Sequence, residues 1–406
     1  MKLAARAQAI EPFYVMEVAK QARALEARLA SEAQRSGVAA PRMIYLNIGE
    51  PDFTAPAAVQ TAATAAMAQG RTQYTPALGV PELRQAISRW YGQRFGVQVP
   101  TSRIAITAGA TAALQLACMA FVDAGQELLM PDPSYPCNRH ILTSLGAHAR
   151  LLPSSAAQRF QTDAATLQAA WQAHTAGVLL ASPSNPTGTS LEPSTLRAIH
   201  QLVRERQGVM MVDEIYLGLS HDERFGQTAL ALGDDVVSIN SFSKYFSMTG
   251  WRLGWLVVPD AAMPAVERLA QNHYICASAV SQYAALACFE RDTLAIYEQR
   301  RAEYKARRDY FVPALRELGF GVPVEPDGAF YVWADVTPLL SRVGAVDSAS
   351  FVQAVMERAQ LVLTPSQDFS PLLSQQGTTQ HFVRFSTASS LADLQEAIAR
   401  LRRLLG

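Results

Sequence analysis

From Tyr45 onward, short apolar runs alternate with amphipathic stretches at helical spacing. Arg103 to Thr107, Glu127 to Met130, Gly177 to Ala181, Val209 to Val212, Val236 to Asn240 and Trp255 to Val258 have the length and apolar content of strands. Their alternation with helical stretches predicts a mostly parallel sheet flanked by helices. Ahead of it, Phe13 to Gln34 is dominated by Ala, Leu, Glu and Arg, and Gly37 and Pro41 close the stretch, so a helix is expected there. Near Ile296 the pattern changes to a long charged helical stretch, followed by strand-like Ala329 to Ala334, a helix around Phe351 to Gln360 and strand-like Phe382 to Ser386. The expected organisation is an N-terminal arm over 1–45, a large sheet domain over 46–295 and a smaller α+β domain over 296–406, with the arm packing on the small domain.

The bulk composition narrows the partners. With 406 residues, 49% of them hydrophobic and 17% charged, the chain has globular composition and the length of two or three domains at about 100–200 residues each. Lys plus Arg and Asp plus Glu both number 35 and no basic run occurs, which argues against nucleic acid as a partner. The four cysteines, Cys118, Cys137, Cys276 and Cys288, have neither metal-ligand nor framework spacing, so reduced thiols and no metal are expected. No apolar stretch has the length of a signal peptide or approaches the ~20 residues of a membrane span, which leaves a cytoplasmic protein as the expectation.

In an open α/β sheet, ligands bind beyond the carboxyl ends of the strands, and the unusual residues of this chain fall there. Ala108-Gly109-Ala110-Thr111 links a strand to a helical stretch. Small residues at such a turn let backbone N–H groups approach a phosphate, although the helix dipole adds only about 0.3–1 kcal/mol and a tight packing turn is the commoner explanation. Ser182-Pro183-Ser184-Asn185-Pro186-Thr187-Gly188 follows another strand; its prolines stiffen the loop that aims Asn185, and an ordinary Asn-Pro turn explains it equally. The apolar run Val209 to Val212 delivers Asp213-Glu214-Ile215-Tyr216 at its end. An unpaired carboxylate at the mouth of a buried strand is costly, so a functional role for Asp213 outranks simple capping. Ser241-Phe242-Ser243-Lys244, running on to Thr249-Gly250-Trp251-Arg252, puts two hydroxyls, a lysine and an arginine in apolar surroundings. Desolvation there lowers the pKa of Lys244 and makes it a competent nucleophile. Arg252 also suits a helix end or an ion pair.

Ser-Phe-Ser-Lys with an arginine eight residues later, Asp-Glu-Ile-Tyr some thirty residues before the lysine, and Ser-Pro-Ser-Asn-Pro-Thr-Gly before that together resemble the class I aminotransferases, the fold-type-I pyridoxal-phosphate enzymes. The resemblance runs from about Ile10 to Ser386 and implies a seven-stranded-type sheet domain with a smaller α+β domain. It implies that Lys244 carries pyridoxal 5'-phosphate as a Schiff base and shuttles the proton, and that Asp213 pairs with the pyridine nitrogen. Asn185 and Tyr216 match the groups that bond the cofactor's ring oxygen, and Tyr135, in Pro131-Asp132-Pro133-Ser134-Tyr135-Pro136, matches the ring that stacks on it. The phosphate falls to Arg252, Ser241, Ser243 and the turn Gly109, Ala110 and Thr111. Charge-assisted bonds, at about 1.5–3 kcal/mol each, outweigh the helix dipole.

By the same resemblance Tyr74 reaches the phosphate of a neighbouring subunit, which implies a homodimer with shared active sites. Arg384, a lone charge in Phe382-Val383-Arg384-Phe385-Ser386, matches the fork that clamps the substrate α-carboxylate, with Gly49 of Asn47-Ile48-Gly49-Glu50-Pro51-Asp52 beside it. An amino acid donor and a 2-oxo acid acceptor are then the substrates, exchanged in a ping-pong reaction. The segment His273 to Ser278, where one branch of the family supplies an arginine for dicarboxylic substrates, contains none. The apolar Phe13, Tyr14, Val15 and Met16 closing over the site would favour neutral or hydrophobic donors. Two rival readings remain: a carbon–sulfur β-lyase or synthase of the same fold, and a serine hydrolase using Ser241-x-x-Lys244, for which the accompanying Ser-Asp-Asn and Lys-Thr-Gly segments are absent.

Overall fold

The computed structural model describes residues 1–374 and 379–406. Helix α1 (Tyr14–Ser36) precedes a seven-stranded sheet of β1 (Ile104–Thr107), β2 (Glu127–Asp132), β3 (His148–Pro153), β4 (Thr175–Ala181), β5 (Val209–Asp213), β6 (Val236–Ser241) and β7 (Gly254–Val257). The strand order is β1-β7-β6-β5-β4-β2-β3. Strand β7 runs antiparallel to both neighbours and the remaining pairings are parallel. Helices cover both faces, so β5 and β6 are buried almost throughout, β5 with apolar residues up to Asp213 and β6 with Ser238, Asn240 and Ser241 among its apolar ones. The edge strand β3 was not expected. His148 is exposed and Ala149, Arg150 and Leu151 are only half-buried, so no apolar run marks it in the sequence.

Helix α2 (Gly109–Phe121) follows β1, and α3 (Pro136–Ser144) follows β2. Helix α4 (Arg291–Glu317) begins five residues earlier than the change of pattern near Ile296, because its first turn carries the polar Arg291 and Asp292 rather than apolar signal. It buries Tyr297 and Tyr304 against the sheet's core and Phe311, Val312 and Leu315 in a second core. That second core holds Val18, Ala22 and Leu25 of α1 together with residues of β8 (Tyr331–Asp335), α5 (Ser348–Ala359), β10 (Phe382–Ser386) and α6 (Leu391–Leu405). With β9 (Thr364–Pro365), β8 and β10 form an antiparallel sheet in the order β9-β10-β8. The arm helix therefore shares the core of the C-terminal part. No helix among the described residues is long and apolar enough to cross a membrane.

Candidate active site

The carboxyl ends of β1, β4, β5 and β6 open on one cavity of about 230 Å³. At one part of its wall the turn into α2 meets Arg252. Gly109 has φ +84°, and a Cβ there would lie 2.8 Å from Arg252 Nη2, so the bare backbone is what lets the guanidinium lie along the helix start. Ala110, Thr111, Ser241, Ser243 and Arg252 all line the cavity. Ser241 Oγ accepts the Ser243 N–H at 3.0 Å and donates to Leu253 O at 3.4 Å, while Arg252 Nη1 donates to Thr249 O at 3.0 Å. A guanidinium, two hydroxyls and a helix N-terminus make an anion cradle. Ser241 Oγ is bonded to Leu253 rather than to Lys244, whose one hydrogen bond among the described residues goes to Gly49, so the serine–lysine pair of a hydrolase is not formed.

Asp213 ends β5 and lines the same cavity. Its carboxylate accepts the Ile215 N–H at 3.2 Å and makes no ion pair among the described residues. Burial pushes its pKa up to about 7; Glu214 adds to the rise, against the pull of the Ile215 N–H and Lys244. Glu214 is already satisfied by the Thr228 and Ser238 hydroxyls at 2.8 and 2.6 Å and the Ala229 N–H at 2.6 Å. Asp213 alone of the two is left to meet a cationic partner.

Lys244 Nζ donates to Gly49 O at 2.6 Å and lies 5.8 Å from the centre of the Tyr216 ring. Burial lowers its pKa to about 8; Arg384 and Arg252 push the same way, while Glu50 and Asp213 oppose. Tyr216 bonds Tyr331 through their hydroxyls at 2.6 Å, and burial keeps the Tyr216 phenol protonated. Tyr135 lies at the cavity wall with Phe13 edge-on, their ring centres 6.0 Å apart.

Arg384 projects from β10 and is buried. Its Nη1 donates to Asn185 Oδ1 at 2.7 Å, its Nη2 donates to Asn47 O, and its Nε has no partner among the described residues. The guanidinium is sandwiched between Tyr331 and Phe369, 4.4 and 4.5 Å from their ring centres. Gly49 has to be glycine here, since a Cβ would come 1.8 Å from the Tyr331 hydroxyl. Its loop is gripped from outside by α4: Arg307 binds Asp52 through two bonds of 2.9 and 2.8 Å, and Arg300 donates to Thr54 O at 2.8 Å.

Of the residues expected from the sequence, all but Gly109, Tyr74 and Tyr14 line this cavity, and Gly109 backs onto its wall beside Arg252. Tyr74 is 78% exposed and lies outside the cavity. Tyr14 is also outside: Phe13, Val15 and Met16 line the cavity, whereas Tyr14 is at the surface, because neighbouring positions on a helix start face different directions. Sequence reasoning missed Tyr331, Asn47 and Phe369. Asn47 lies in the segment singled out for Gly49, and Tyr331 in an expected strand, but neither carries a local chemical signature.

Among the described residues, an anion cradle, a buried carboxyl without a counter-charge, an aromatic ring, a desolvated lysine and an unsatisfied guanidinium nitrogen face one space, and this donor set fits pyridoxal phosphate and an amino acid. The family model described as aminotransferase class I and II matches residues 41–401. The chain belongs to this family of pyridoxal-phosphate-dependent enzymes and is an aminotransferase of fold type I. Among its relatives, the valine–pyruvate aminotransferase of Mycobacterium tuberculosis is 37% identical over 97% of this chain and 96% of its own length. The aspartate/prephenate aminotransferase of Thermus thermophilus is 30% identical over 100% and 99%. A crystal structure of an aminotransferase from Mycobacterium tuberculosis superposes with a TM-score of 0.89 at 36% identity, covering 100% of this chain and 99% of that one.

The lysine provides a pH test. Attack on an aldehyde needs the neutral amine, so capture of pyridoxal phosphate by the cofactor-free protein should speed up as pH rises through about 8 and then level off. Glu50 holds the ammonium form in place, so Glu50→Gln should move that midpoint to lower pH, by less than about one unit given the solvent around it. Stopped-flow absorbance reads both midpoints; a midpoint that rises in the variant removes Glu50 from this account.

Proposed function

We propose that Lys244 Nζ attaches the cofactor and, once released, carries the proton from the substrate Cα, with Asp213 pairing with the pyridine nitrogen. Bound there, the cofactor's protonated ring supplies an electron sink for the pair left on Cα. Asn185 and Tyr216 bond the ring oxygen, Tyr135 stacks on the ring, and the cradle of Gly109, Ala110, Thr111, Ser241, Ser243 and Arg252 holds the phosphate. Arg384 fixes the donor's α-carboxylate in a bidentate fork beside Gly49, which leaves the Cα–H to be aligned with the lysine. The single observation that carries this assignment is the desolvated Lys244 and the unpaired Asp213 facing the same cavity as Arg384.

The donor is proposed to be a neutral or hydrophobic amino acid. Phe13, Val15, Met16, Ile48, Leu114 and Ile215 give the cavity an apolar wall. Among the described residues its only lysine or arginine side chains are Lys244, Arg252 and Arg384, each already assigned. The name of the 37% identical relative, valine–pyruvate aminotransferase, points the same way, while relatives named for aspartate stand at 30%. With one 2-oxo acid as acceptor, kcat/KM for leucine, valine or phenylalanine is expected to exceed that for aspartate by about ten-fold or more. Equal or better turnover of aspartate would sink this donor assignment.

The exposed Tyr74 supports a homodimer in which it reaches the partner's phosphate cradle. Its segment is tied to the helix Ala279–Ala285 by Gln282, which donates to the Thr75 hydroxyl at 2.9 Å. The core of the large sheet and the separate core around α1 and the C-terminal elements support a division into the arm 1–45, a large domain 46–295 and a small domain 296–406, with α4 crossing the boundary. Four free cysteines support a reducing, cytoplasmic setting.

A further inference from the structure

Helix α1 has no cap of its own. Phe13, the residue before its first turn, offers no side-chain acceptor. The acceptor comes instead from Asp368, 354 positions away, on the segment between β9 and β10. Asp368 is 4% exposed, and its carboxylate takes the N–H groups of Tyr14 at 3.3 Å and Val15 at 3.2 Å. A buried carboxylate demands partners, and the first turn of a helix offers them. Arg139 of α3 holds the same segment by donating to Asp368 O at 3.1 Å.

Both backbone groups of Val15 lead back to Arg384. The Val15 N–H reaches Asp368, whose neighbour Phe369 lies against the Arg384 guanidinium. The Val15 carbonyl accepts from Asn47 Nδ2 at 3.2 Å, and the Asn47 carbonyl accepts from Arg384 Nη2. The stretch that bears Phe13, Val15 and Met16 is therefore referenced to the group that receives the donor's carboxylate, by two short routes.

We infer that Asp368 is a positioning residue for donor specificity: it holds the wall of Phe13, Val15 and Met16 at a set distance from Arg384, so that the enzyme selects donors by the side chain that spans from one to the other. The inference rests on the proposal that this wall receives the donor's side chain. A cap supplied locally by a serine or asparagine at position 13 would serve the helix equally, but would leave the wall unconnected to the carboxylate fork.

Leucine and alanine as donors, with a common 2-oxo acid, separate the possibilities. In Asp368→Ala the leucine-to-alanine ratio of kcat/KM should fall by about ten-fold, through the KM for leucine, because alanine's methyl offers the wall little surface. Asp368→Asn keeps one acceptor oxygen and should lose about three-fold, and it carries the test if the alanine variant does not fold. The near-visible band of the Lys244-bound cofactor should be unchanged in both. A ratio unchanged with that band intact overturns the inference, as does an equal loss for both donors carried by kcat. A wild-type enzyme that prefers aspartate overturns the wall itself, before any variant is made, and the inference with it.

Discussion

Lys244→Ala is expected to abolish turnover, with a loss of at least about 10⁴-fold in kcat. Proton transfer by a positioned base contributes roughly 10²–10⁴-fold, and the proposed covalent attachment would be lost as well. The variant should fold: among the described residues Nζ makes a single hydrogen bond, to Gly49 O, and its removal relieves a desolvated amine. The near-visible band of the attached cofactor should be absent while the melting temperature of the cofactor-free protein stays at or above that of wild type. Turnover within about 10²-fold of wild type would show that another group carries the proton.

Asp213→Asn should move activity and stability in opposite directions. The fold raises this carboxyl from 3.8 to about 7 through burial, so the protonated form is the one the native state favours. For an acid raised in this way the cost is absent below the unfolded value, grows as pH rises from there, and is complete above about 7. Asparagine never ionises, so the cofactor-free variant should be more stable at pH 8 by about 1–4 kcal/mol, with the difference vanishing towards pH 4. In its proposed role, losing the carboxylate would also lower the basicity of the pyridine nitrogen it pairs with, at a cost of roughly 10–10³-fold in kcat. Thermal melts at the two pH values and steady-state rates test both halves; a variant destabilised at pH 8 contradicts the assignment of Asp213 as a strained, unpaired carboxylate. Such opposition is expected where a site is built for chemistry rather than for stability.

Much of the sheet was legible because its strands are buried on both faces. The apolar run Val209 to Val212 became β5, and Phe382 to Ser386 became β10 with the expected ends. Where one face meets solvent the signal failed, as in β3, whose exposed His148 and half-buried Arg150 break any run. The polar first turn of α4 hid its start in the same way. Asp213 and Arg384 stood out because each is a charge at the end of, or within, an apolar strand, and Lys244 because it is a charge among the aromatic and apolar residues of the segment after β6; such anomalies are visible locally. Asn47, Tyr331 and Phe369 had no such mark: Asn47 meets Arg384 across 337 positions, and a ring that stacks on a guanidinium looks in sequence like any core aromatic.

By itself, then, the sequence determined which chemical groups stand at the strand ends and in what order, since hydrophobic periodicity and residue type are local properties. Only the tertiary structure decided their protonation, their partners and the shape of the space they share. Burial raises Asp213 and lowers Lys244, and a carboxylate from the far end of the chain seats the arm against the site. Desolvation and long-range hydrogen bonds exist only once distant segments pack together.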